Sequence, residues 1–508
     1  MAVQHGPARR GDMTPGNGKT RPMAASRLRS TALLPALMAM ALAAGACASG
    51  PSAPRAGTAH GSTATKPAPG SASSSTATTS PASGGSWLTY GGSFSRTSVQ
   101  STGPDFTQKP TAAWTSPALD GPVYGEPLVY DGQVFVATEN DTVYALSESD
   151  GALEWSEHLA SPVPATMLPC GDISPTVGIT STMVIDPTTG TLFASAALVS
   201  GSSVRHSVYA LDIATHRVLW SRGVDQPGWT AAAQLQRIGL ALSAGRVIVG
   251  FGGNFGDCGS YHGWVVGVPE SGVGSELAYR VPTANQGAIW APAGVTVDGA
   301  GDVFVVTGNG SAGPGQPFDH GDSVIELSSA LVERGYFAPS DWALDNADDG
   351  DLGSTAAMLL DGSRLFIVGK QQTAYLLDAT SLGGIGGQLA SSSVCKSLGG
   401  NAYQAPDAYV VCTDSGTVDQ VKVGPGATLT PGWQWTSPTG NAGSPTIAGG
   451  VLWSVDIGAS VLYGVDLASG ATLYTLALTT GTPQHFAAPS AAGGMLFVAG
   501  ASHVEAFR

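Results

Sequence analysis

Residues 340–354 read SDWALDNADDGDLGS, which crowds Asp341, Asp345, Asp348, Asp349 and Asp351 into one short stretch. Carboxylates at this density suit a hard cation or a general base. Ala347 breaks the alternate-ligand spacing of a calcium loop and no distal Glu follows, so a solvated acidic loop competes with a metal site. Downstream stands Lys370, one of six lysines in the chain. It ends the strand-like run RLFIVGK (364–370), where an unpaired ammonium would be costly. Asp319, His320 and Asp322 form a second candidate metal group, set against a bland surface reading beside Gly-rich sequence. His262, next to Tyr261 and Trp264, reads either as a channel histidine facing a ligand or as one satisfied by backbone. No Ser-His-Asp signature and no phosphate loop stands out, and the GxG strings read as turns.

These residues need elements to hold them, and the sequence repeats one element many times. Strand centres recur at Tyr144, Tyr209, Val266, Ile325, Tyr375, Asp419, Tyr463 and Glu505, 42 to 65 residues apart. A bulkier strand precedes each centre, as in QVFVATEN (133–140) and MLFVAGA (495–501). Before that lies a small-residue strand ending in a tight turn, as in PLVYDG and PTIAGG. Short strands, hairpin signals and an absence of helical periodicity predict an all-β fold. Four strands per unit at this period predict an eight-bladed β-propeller of four-stranded antiparallel blades. The chain stops after the third strand of its last unit, while AAWTSP (112–117) stands alone and nearly repeats the outer strand WQWTSP (433–438). An N-terminal strand is therefore expected to close the last blade and remove its exposed edge.

Loop length separates the two ends of such a ring. Turns between first and second strands have two to four residues. The opposite face carries long connections at 160–178, 225–238, 253–262, 282–292, 310–322 and 338–354, and long ordered loops usually carry binding. Asp257, His262, Asn309 and Lys370 fall on that face. So do Cys170 and Cys258, which predicts one disulfide. Cys395 and Cys412 flank neighbouring strands on one side and predict another.

The outer hairpins SVYALDIATHRVLW (207–220), TVYALSESDGALEW (142–155) and VLYGVDLASGATLY (461–474) resemble the repeat of the pyrroloquinoline quinone (PQQ) propeller family. The matches are Ala210, Asp212, Thr215 and Trp220 in one copy, and Ala145, Gly151 and Trp155 in another. Gly464, Asp466, Gly470 and Tyr474 form a looser third. The resemblance covers about residues 87–508 and implies that each Trp docks between neighbouring blades. Within QGAIWAPAGVTVDGAGDVFVVTGNGS (286–311), similarity to the quinoprotein alcohol dehydrogenases implies Trp290 as the aromatic floor under a quinone and Asn309 as a calcium ligand. In GKQQTAYLLD (369–378) it implies Lys370 as the contact to the quinone oxygens. One of Asp341, Asp345 and Asp351 would be the catalytic base. The chain departs from those enzymes in lacking two adjacent cysteines, and it has Asp257 and Cys258 where their calcium-binding glutamate is expected.

The N-terminal region completes the expectation. Residues 23–47 have Arg27 and Arg29, an apolar run and small residues before Cys47, which is the layout of an export signal over residues 1–46 with its start at Met1, Met13 or Met23. Ala44-Gly45-Ala46-Cys47 resembles a bacterial lipoprotein box, so Cys47 is expected to be lipidated, with plain secretion as the alternative. Residues 47–86 read as a flexible Ala/Ser/Thr/Gly/Pro tether. The excess of acidic over basic residues, 37 against 22, disfavours nucleic-acid binding. The expected protein is a monomeric, extracytoplasmic binding or scaffolding module with a protein or small-molecule partner on the long-loop face. It is similar to propeller lipoproteins that assist outer-membrane assembly. The alternatives are a PQQ- and calcium-dependent dehydrogenase of an alcohol or sugar, and a small-ligand sensor.

Overall fold

The computed structural model describes residues 85–508. The export signal, Cys47 and nearly all of the tether lie outside the described residues. The strands form eight blades, at 128–158, 184–223, 241–280, 296–338, 358–393, 402–436, 446–477 and 490–507. All eight expected strand centres fall in the third strand of a blade. The eighth blade takes its outer strand from the other end of the chain. Ala112–Thr115 runs antiparallel to Val504–Phe507, with Trp114 opposite Ala506. Three blades carry more than four strands. Gly384–Ile385 adds in parallel outside blade 4, and Val99–Gln100 adds in parallel inside blade 7. Gln234–Leu235 extends blade 3.

The core lies between blades. Ile248 and Val265 of blade 3 pack with Val303, Val305 and Ile325 of blade 4, and Phe304 and Val306 of blade 4 pack with Leu365 and Ile367 of blade 5. The alternation of strand side chains sends one set to each neighbour, so both blade faces are apolar.

The sequence did not announce what residues 87–99 do. They circle the axis and bond the inner strands of blades 1 to 7 in order. Trp87 exchanges backbone hydrogen bonds with Val129, and Leu88 O accepts from Ile185 N. Thr89 Oγ1 donates to Leu240 O at 2.9 Å. Phe94, Ser95, Thr97 and Ser98 carbonyls accept from Val297, Leu359, Tyr403 and Ile447. Buried Arg96 fills the hub: its guanidinium donates to the carbonyls of Val295, Tyr90 and Leu240 and to Thr89 Oγ1. The bonded residues sit just before the short turns, so the segment caps inner-strand edges that would otherwise be unpaired and closes the axis at that end. The long-loop end stays open.

Candidate ligand site in the axial cavity

A cavity of about 470 Å³ opens among the long loops. Its lining includes Trp290, Asn309, Asp351, Lys370 and Asp257, drawn from five separate stretches of sequence. Lys370 follows the second strand of blade 5, Arg364–Val368. Its Nζ lies 2.5 Å from Asp351 Oδ2 and 2.9 Å from Asp349 Oδ1. It also sits 5.5 Å from the centroid of the Trp290 ring, within cation–π range. Burial works against the ammonium, but Asp351 and Asp349 outweigh it and hold the Lys370 pKa above the usual lysine value. Burial lifts Asp351 above the ordinary aspartate range, with Lys370 opposing.

Asn309 follows the second strand of blade 4, Val303–Val306, in the connection that leaves it. Its backbone N–H donates to Asp351 Oδ1 at 2.8 Å and its Nδ2 to Asp349 Oδ1 at 3.1 Å. Its Oδ1 is buried with no hydrogen-bond partner, an arrangement that calls for a donor or a cation. Gly308 precedes it because a Cβ there would strike Asp351 Oδ1.

The three candidate bases separate. Asp351 faces the cavity. Asp341 stands at the N-cap position of the helix Trp342–Asp348 without a side-chain capping bond, Asp345 lies within the helix, and neither lines the cavity. That helix of seven residues, about two turns, is one the strand-only reading did not expect. Burial, then Asp341 and Asp348, push Asp345 up to about 7. His262 is also outside the lining. Its backbone bridges Gln286, and burial, then Arg280, lower its pKa. Asp257 lines the wall but is engaged, accepting from Tyr261 Oη at 2.5 Å. The Asp319, His320 and Asp322 group does not converge on a metal. Asp319 Oδ2 accepts from Ser311 N, Ala312 N and Thr283 Oγ1. His320 pairs with Glu333, and buried Asp322 accepts from Leu352 N.

The opposite wall was not foreseen. Arg237, His485, Phe486 and Asp172 complete it. Arg237 Nη2 contacts His485 Nε2, and the guanidinium lies 4.9 Å from the Phe486 centroid. Burial, then Arg237, lower His485 to about 4, so the imidazole is neutral at pH 7. Phe486 has φ 65°, a strained setting for a bulky residue, and its ring centroid is 6.5 Å from that of Trp290. Arg237 lies in one of the long connections, which was the available signal; His485 and Phe486 lie in the blade 7–8 connection, whose length went unweighed.

Both disulfides form. Cys170–Cys258, with Cα atoms 5.9 Å apart, joins the loop carrying Asp172 to the loop carrying Asp257. Cys395–Cys412 has Cα atoms 5.5 Å apart and lies outside the cavity lining.

A family model described as outer membrane protein assembly factor BamB matches residues 111–238. No curated protein matches the sequence. Among solved structures, the chain is similar to a quinohemoprotein alcohol dehydrogenase from Pseudomonas putida at 14% identity, covering 84% of this chain and 80% of that one, with a TM-score of 0.60. A europium-containing methanol dehydrogenase gives 14% identity, 82% and 90% coverage, and a TM-score of 0.61. BamB from Moraxella catarrhalis gives 15% identity, 78% and 99% coverage, and a TM-score of 0.55. At these identities the structural likeness is one of fold, that of a β-propeller, and the outer hairpins resemble the PQQ-type repeat.

Proposed function

We propose that the chain is an extracytoplasmic small-ligand-binding propeller whose axial cavity takes a flat aromatic anion of the pyrroloquinoline quinone type. The observation that carries this reading is the seating of Lys370 beside the Trp290 ring, with Asp351 and the unpartnered Asn309 Oδ1 on the same wall. An aromatic floor holds a planar ring, and a cation at its edge polarises a carbonyl. Asn309 Oδ1 and the Asp351 carboxylate are hard oxygen donors suited to calcium. Bound there, the quinone would supply a two-electron acceptor. Asp351 would hold the proton leaving an alcohol, and Trp290 with Phe486 would exclude water. The two disulfides support export to an oxidising compartment, with Cys47 as the lipid anchor. A second reading, a protein-docking scaffold, is favoured by the match of residues 111–238 to the assembly-factor model.

The test is a titration of purified protein with PQQ and calcium chloride, following tryptophan fluorescence and quinone absorbance. Saturable one-to-one binding is expected, weakened about 10-fold or more in Lys370→Ala. Dye reduction that depends on added alcohol separates a dehydrogenase from a binder. Absence of any binding by the wild type would sink the cofactor reading and leave the scaffold.

A further inference from the structure

The turn between the second and third strands of blade 1, residues 138–142, carries acidic groups in two opposite conditions. Asp120 lies against it fully satisfied. It accepts from Thr138 Oγ1 at 2.7 Å, Thr142 Oγ1 at 2.6 Å and Asn140 Nδ2 at 2.8 Å. Asp141 is 0% exposed, and neither of its carboxylate oxygens has a hydrogen-bond partner. Glu139 is also 0% exposed. Its Oε2 accepts from Gly178 N at 2.7 Å, and its Oε1 has no partner.

Both residues converge on Gly178, in the chain leading into blade 2. A methyl group built on Gly178 would lie 2.6 Å from Asp141 Oδ1 and 2.8 Å from the Glu139 carbonyl oxygen. Asp141 Oδ1 and the Glu139 carbonyl oxygen therefore lie against the same buried glycine, whose N–H the Glu139 carboxylate accepts. Among the described residues, no Lys, Arg or His makes an ion pair with either acid. Buried carboxylates are costly without a counter-charge.

We propose that Glu139 and Asp141, with the Glu139 carbonyl, form a divalent-cation site that pins the blade 1 turn to the entry of blade 2, calcium being the ion that suits all-oxygen donors and two carboxylates. Neither acid lines the axial cavity, although Glu139 feels the charges of Arg237 and Asp172, which do, and the proposal does not rest on the cofactor reading.

The test uses the full chain carrying Asn309→Ala, which removes one of the cavity's two candidate calcium donors and weakens any competing site there. After treatment with EGTA, calorimetry with calcium chloride is expected to show one ion per chain, and saturating calcium should raise the unfolding midpoint by ~2 °C or more. Asp141→Asn on that background should lose both effects. Asp120→Asn should keep them, because its carboxylate is satisfied within the turn. Glu139→Gln provides a second removal where Asp141→Asn does not fold. Full calcium binding in either of those two variants, or none in the Asn309→Ala chain, overturns the proposal.

Discussion

The indole of Trp114 lies against Gly151, where a Cβ would collide with the ring, and its Nε1 donates to Glu148 O at 2.8 Å. Trp114 belongs to the strand that completes blade 8, and Gly151 to the outer turn of blade 1. The same pairing joins Trp220 to Gly272 and Trp433 to Gly470, with indole N–H bonds of 3.0 Å to Glu270 O and Leu467 O. Where His216 takes the glycine position with φ 59°, Trp155 stacks on its ring at 5.2 Å. Trp114→Ala should therefore cost about 3–5 kcal/mol. Gly151→Ala should destabilise in the same direction, since Gly151 has φ 71° and its Cβ has no room. Urea unfolding measures both, and wild-type stability in Trp114→Ala would contradict the role of this contact in closing the ring.

Lys370 and Asp351 form a buried pair, and breaking such a pair costs more than replacing it. Lys370→Met should lose about 3–5 kcal/mol by leaving Asp351 uncompensated. The double variant Lys370→Met with Asp351→Asn should recover much of that loss. A double-mutant cycle gives the coupling directly. Additive losses would mean that the two side chains do not act as a pair.

The fold was legible because its signals are local and repeated. Each third strand is a short, nearly continuous apolar run bounded by turns, most with a glycine, and eight copies average out the exceptions. Resemblance brought Lys370, Trp290 and Asn309 forward through their motif-like neighbours and offered Asp351 only as one of three carboxylates; the structure places these four in one cavity lining. Arg237, His485 and Phe486 were not, because nothing periodic marks a loop residue that meets its partner across the ring. The circuit of residues 87–99 was also hidden. Its bonds are made by backbone carbonyls, and a carbonyl leaves no trace in residue type.

Glu126 makes stability pH-dependent. It is buried near the hub and accepts from Gly91 N at 2.7 Å. Burial raises its pKa from 4.5 to about 8. Between those values the folded state keeps a proton that the unfolded state has released. This contribution is therefore complete below pH 4.5 and is lost as pH rises through about 8. Its slope is about 1.4 kcal/mol per pH unit in that window. Glu126→Gln should remove the slope while preserving shape. An unchanged pH profile in that variant would assign the dependence to other groups.

The two disulfides should differ in what they control. Cys170–Cys258 closes a separation of 88 residues, and Cys395–Cys412 one of 17. Chain-entropy arguments give about 4–5 kcal/mol for the first and about 3 kcal/mol for the second. Their relation to the cavity separates them further. The first ties the loop bearing Asp172, which faces His485, to the loop bearing Asp257, which holds Tyr261. The second lies outside the cavity lining. Replacing Cys170 and Cys258 by Ala should thus weaken PQQ binding as well as stability, by loosening both loops at once. Replacing Cys395 and Cys412 should lower the unfolding midpoint and leave binding near wild type. Paired urea and ligand titrations on the two double variants decide this, and equal effects on binding would remove the first bridge from any special part in shaping the site.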